Sequence, residues 1–87
     1  MNPNIIHHRT VWNNDCISKT EYWEVVADGR TWNVTQDRWI DPVGLWEHGE
    51  ITISCKHTGA MLPMYSELAR EIVRAVNGDV WALAEFA

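Results

Sequence analysis

Glu21-Tyr22-Trp23-Glu24-Val25-Val26-Ala27-Asp28-Gly29-Arg30-Thr31-Trp32-Asn33-Val34-Thr35 is the stretch on which the fold turns. Asp-Gly between two runs rich in β-branched and aromatic residues is a strong signal for a two-residue hairpin turn, because both central positions need positive φ. Folding the chain there pairs Ala27 with Arg30, Val25 with Trp32, Trp23 with Val34 and Tyr22 with Thr35. Side chains alternate along a strand, so Trp23, Val25, Trp32 and Val34 share one face, and Tyr22, Glu24, Thr31, Asn33 and Thr35 the other. The first face needs a core to cover it.

On the N-terminal side of the hairpin, Ile5 to Trp12 reads as a strand, with Ile6 and Trp12 as its inward pair and His8 and Thr10 between them. Asn13-Asn14-Asp15 is a turn cluster. Beyond the hairpin, residues 36 to 50 contain Pro42, Gly44 and Gly49 and show no sustained period, which predicts a long loop. Glu50 to His57 alternates again and places Ile51, Ile53 and Cys55 on one face. From Leu62 to Asn77 the period becomes helical: Tyr65, Leu68, Ala69, Ile72, Val73 and Val76 line one side, with Pro63 in the first turn and Asn77-Gly78 as the stop. Val80 to Phe86 is assigned to a strand returning to the sheet, although its Ala, Leu and Glu residues also permit a second helix. The expected fold is one α+β domain over residues 1–87: a mainly antiparallel sheet of three to five strands built on the 21–35 hairpin, with one amphipathic helix near 62–77 across a face. Its expected core is Trp23, Val25, Trp32, Val34, Ile51, Ile53, Leu68, Ile72 and Val76.

With 87 residues, such a domain buries only about 60–65% of the surface of its unfolded chain, which argues against an enclosed catalytic pocket. The net charge of −5 argues against direct capture of nucleic acid or of an anionic membrane, and favours a basic partner. Most of that excess lies in residues 37 to 50, where Asp37, Asp41, Glu47 and Glu50 face only Arg38. The first residues lack the basic and apolar regions of a signal peptide, and no apolar run is long enough to span a membrane, so a cytoplasmic location and free thiols at Cys16 and Cys55 are expected.

Residue types suited to zinc are present in His7, His8, His48, His57, Cys16 and Cys55, but no pair has the spacing of a metal site, and Cys55 reads as a small core residue. Nucleophilic catalysis would need Cys16 or Cys55 beside a histidine and an orienting group, an adjacency that sequence does not show. The loop carboxylates Asp37, Asp41 and Glu47 with His48 read as solvated charge rather than acid-base groups, and no glycine pattern cradles a phosphate. The expectation is a non-enzyme without metal or cofactor.

What stands out is the mixture in the acidic segment. Asp37, Trp39, Asp41, Trp46, Glu47 and Glu50 combine large apolar anchors with carboxylates, a composition suited to docking on a basic protein surface, with Tyr22, Glu24 and Thr31 as an adjoining surface. The competing structural reading has Trp39, Ile40, Leu45 and Trp46 capping the open end of the sheet. Two further readings are a small-molecule or nucleotide sponge that stacks a planar ligand on Trp39, Trp46 or Tyr22, and a homodimer paired through a sheet edge.

The run Tyr65-Ser66-Glu67-Leu68-Ala69-Arg70-Glu71-Ile72-Val73-Arg74-Ala75-Val76-Asn77-Gly78-Asp79-Val80-Trp81, followed by a short acidic apolar end, resembles the helix, turn and final strand that close some small phage-encoded anti-CRISPR proteins. The resemblance covers about 23 residues and is one of pattern, with no catalytic motif to transfer. It implies an acidic inhibitor that binds a basic nucleic-acid-handling complex of the host and blocks its substrate.

Overall fold

The computed structural model describes residues 2–15 and 17–84, and side-chain surroundings up to residue 78. Five strands and one helix follow in the order β1 (Asn4–Trp12), β2 (Ser18–Ala27), β3 (Arg30–Ile40), β4 (Trp46–His48), β5 (Thr52–Cys55) and α1 (Glu67–Ala84). The first three strands form an antiparallel meander, and β4 and β5 pair in succession along the free edge of β3. The architecture is therefore a small α+β fold, as the periodicity predicts.

The hairpin has the expected register, from Ala27 opposite Arg30 to Tyr22 opposite Thr35. Asp28 and Gly29 take φ of 53° and 70°. Both values lie in the left-handed region, which the Asp-Gly pair enters more readily than other residues do. The ladder also runs well past the expected ends, to Ser18 opposite Trp39.

That extension corrects the expected loop over 36 to 50. β3 continues to Ile40, a turn follows, and β4 returns with Arg38 opposite His48, Trp39 opposite Glu47 and Ile40 opposite Trp46. The alternation had not stopped at Thr35; its inward row had changed from apolar to polar at Gln36 and Arg38, which hides a strand from a hydrophobic pattern. The Asp41 carboxylate accepts the backbone N–H groups of Val43 and Leu45 at 3.0 and 2.9 Å and so builds the turn.

In β1 the inward pair is also revised. A bulge between Ile5 and His7 turns Ile5 toward the core and leaves Ile6 exposed, since one extra residue reverses the alternation. His8, Thr10 and Trp12 remain on the inner face, opposite Trp23, Glu21 and Lys19.

The helix starts later and ends later than expected. Ser66 is its N-cap: its hydroxyl accepts the Ala69 N–H at 3.2 Å, which satisfies one of the unpaired amides of the first turn. Pro63 belongs to the preceding turn, where its carbonyl accepts the Ser66 hydroxyl at 2.7 Å. The backbone is helical through Asn77-Gly78 to Ala84, and Gly78 does not adopt positive φ, so the Asn-Gly pair does not act as a C-terminal stop. The strand assigned to 80–86 is thus overturned for residues 80–84, where Ala and Leu favour helix; residues 85–86 lie outside the described part.

The core forms where α1 crosses the inner face of the sheet. Trp23, Val25, Ala27, Trp32, Val34, Ile51, Ile53 and Cys55 from the sheet meet Ala69, Ile72 and Val76 from the helix, with Ile5, Leu62, Leu68 and Val73 packed around them. Leu68 is only partly buried, and Ala69 takes the central place expected for it. Trp32 satisfies its indole by donating to the Ala27 carbonyl at 3.1 Å. No helix among the described residues is long and apolar enough to cross a membrane.

Candidate functional site

The inner row of the central hairpin continues past the core. Moving away from the Asp28-Gly29 turn, the opposed pairs run Val25 with Trp32, Trp23 with Val34, Glu21 with Gln36, and Lys19 with Arg38. Glu21 and Gln36 are 2% and 4% exposed, so this row carries a buried carboxylate and a buried amide on the side where tryptophans and valines stand a few residues earlier.

A carboxylate so deeply buried requires partners. Glu21 Oε2 lies 2.6 Å from His8 Nε2, and Glu21 Oε1 accepts the Thr10 hydroxyl at 2.6 Å. Lys19 Nζ is 3.9 Å from the same Oε1. The His8 ring stacks on Trp23, with centroids 4.9 Å apart, joining this polar cluster to the core. Gln36 donates to the Gly49 carbonyl at 3.0 Å and accepts from Arg38 Nη2 at 3.1 Å. Among the described residues, Arg38 Nε is a buried donor with no acceptor.

Further out the same face becomes aromatic. Trp12 of β1 and Trp46 of β4 belong to the two opposite sides of the sheet, yet their rings meet edge to face with centroids 5.9 Å apart. Two long side chains are needed to bridge strands that are separated by two others at roughly 4.8 Å each. Lys19 Nζ lies 5.1 Å from the Trp12 ring and 5.0 Å from the Trp46 ring, within the range of cation–π attraction. Trp12 and Trp46 are nonetheless 53% and 45% exposed, and Ile17, Val43 and Leu45 of the adjoining turns are exposed as well.

The expected contact residues are divided by this geometry. Asp37, Trp39 and Glu47 stand on the outer face of the sheet, where Tyr22, Glu24 and Thr31 also lie by their register. Asp37 accepts the Thr20 hydroxyl at 2.8 Å, Arg9 lies over the Tyr22 ring at 4.8 Å, and Lys56 pairs with Glu24 at 3.2 Å. Trp46 is on the opposite face from Trp39, so no planar ligand can be held between the two. Asp41 builds its turn. Glu50 is exposed in the break between β4 and β5, beside a shallow groove of about 580 Å³ that Gln36, His48, Ile51, Met64 and Asn77 also line.

Cys55 is buried in the core, and hydrogen bonds from the Thr58 hydroxyl and from the Thr58 and His57 backbone hold its thiol below the ordinary range. Among the described residues no three of His, Cys, Asp and Glu are grouped so as to hold a metal ion; Cys16 lies outside them.

Sequence reasoning missed Glu21, Gln36, Lys19 and Trp12 as members of one site. The signal was available for three of them, since continuing the period of two from Trp23 and Val34 puts Glu21, Lys19 and Gln36 in the inward row. Trp12 was already read as inward, and only its meeting with Trp46 depended on strand order. The fold and site together define an α+β domain with a sheet face half covered by its helix and half open. Compared with known proteins, the chain matches no family model, no curated protein and no solved structure.

Proposed function

We propose that this chain is a small, non-enzymatic, cytoplasmic protein-binding module that docks through the end of the sheet remote from the Asp28-Gly29 turn onto a protein with a basic surface. The observation that carries the reading is the grouping of exposed Trp39 with Asp37 and its cross-strand neighbour Glu47. Tryptophan supplies buried apolar area on contact, and the carboxylates steer a basic partner and set its orientation. An inhibitor from a phage or mobile element, acting on a basic nucleic-acid-handling complex of its host and blocking its substrate, fits the same charge and size.

The reading is tested by affinity capture with the wild-type chain and with the double variant Asp37→Lys, Glu47→Lys, followed by mass spectrometry. Asp41 is left intact because its carboxylate forms the turn. Basic nucleic-acid-handling proteins retained by the wild type and lost with the variant are the expected outcome; the same proteins retained by both would contradict it.

A further inference from the structure

Lys19, Trp12, Trp46 and Glu21 have the composition of a cation site: two aromatic walls, a buried carboxylate, and an ammonium 5.1 and 5.0 Å from the ring centroids and 3.9 Å from the carboxylate. The occupant is the chain's own side chain. Its hold is limited, because both tryptophans are about half exposed and water screens each cation–π contact. Glu21 does not depend on Lys19, since His8 and Thr10 hold its oxygens at 2.6 Å. Removing the ammonium therefore leaves the walls and the carboxylate standing.

We propose that Trp12, Trp46 and Glu21 form a receptor site for a lysine or arginine side chain of a partner, and that Lys19 occupies it in the free chain as a displaceable internal ligand. The site lies at the same end of the sheet but on its inner face, opposite Trp39, Asp37 and Glu47, and so goes beyond the outer-face reading above. The partner's cation takes the place of the Lys19 ammonium against the two rings, and Lys19 swings into solvent. Affinity is lowered in the free state by the competition with Lys19, as for any site whose competent form is only part of the population.

Hexalysine peptide is the probe, with binding followed by tryptophan fluorescence at low salt for the wild type, Lys19→Ala and Lys56→Ala. The last variant changes the net charge equally but alters the outer face, where Lys56 pairs with Glu24. At least a fivefold gain in affinity is expected for Lys19→Ala and not for Lys56→Ala, and adding Trp12→Ala to Lys19→Ala should remove the gain. Equal affinity in all three chains, equal gains in the two lysine variants, or a gain that survives Trp12→Ala would overturn the site. Adding Asp37→Lys and Glu47→Lys separates the two faces: a Lys19→Ala gain that persists in that background supports the cation site, whereas a gain that disappears with the reversal while hexalysine still binds measurably places the peptide on the outer face and overturns the site.

Discussion

Two halves of one sheet face make opposite use of the same strands. Near the Asp28-Gly29 turn the inner row is Val25, Trp32, Trp23 and Val34, all under α1 and all at 5% exposure or less. Beyond the Glu21–Gln36 pair the row becomes Lys19 and Arg38, then the bridging Trp12 and Trp46, which stay about half exposed. The backbone ladder does not change between the halves. What changes is the side-chain chemistry, and Glu21 with its His8 and Thr10 partners marks the border. A small domain can stabilise itself with one half of a face and leave the other half for contact.

The largest test of this difference compares tryptophans. Trp23→Ala should cost about 3–5 kcal/mol in urea unfolding, as for other buried aromatics, which is a large part of the stability expected for a domain of this size at about 0.05–0.15 kcal/mol per residue. Trp12→Ala should cost about 1 kcal/mol, from one edge-to-face pair and one exposed cation–π contact. Similar losses for both would remove the distinction between covered and open halves.

At the border, Glu21→Ala should destabilise by about 2 kcal/mol, the scale of lost hydrogen bonds to a charged group. Glu21→Gln should lose less, because the amide still offers an acceptor to Thr10. Unfolding curves that coincide with the wild type would show that the cluster is not a structural border.

The smallest effect lies in the turn between β1 and β2. Asp15 accepts the Ile17 N–H at 3.0 Å and the Ser18 hydroxyl at 2.9 Å, and these hydrogen bonds, the Ile17 amide first, hold its carboxyl below the ordinary range. A lowered folded-state pKa means stability that is fully present above the unfolded value of about 3.9 and is lost as pH falls through the folded value. Asp15→Asn should therefore lose less stability than the wild type does across that acid window, with little difference in slope at neutral pH. Parallel curves throughout would contradict the assignment.

How much of this could be read from residues alone follows the same border. The hairpin, its register and the stripe Ile51, Ile53, Cys55 were legible because apolar alternation and turn chemistry agree there. The extension of β3 and the strand β4 were not, since polar Gln36 and Arg38 occupy inward positions that a hydrophobic period cannot recognise. The helix start was obscured by Pro63, which competes with the Ser66 cap, and its continuation by Asn77-Gly78, whose turn preference the following Ala and Leu residues override. For the site, the local composition around Asp37, Trp39 and Glu47 led to one exposed face, while the meeting of Trp12 with Trp46 required strand order and sheet curvature that no local pattern carries.

The indole N–H signals of the 15N-labelled chain test the central division most directly, read while a lysine-rich peptide is added. Signals from Trp12, Trp39 and Trp46 should move, while those of Trp23 and Trp32 stay fixed. Movement of Trp23 and Trp32 with Trp12, Trp39 and Trp46 unchanged would contradict the account.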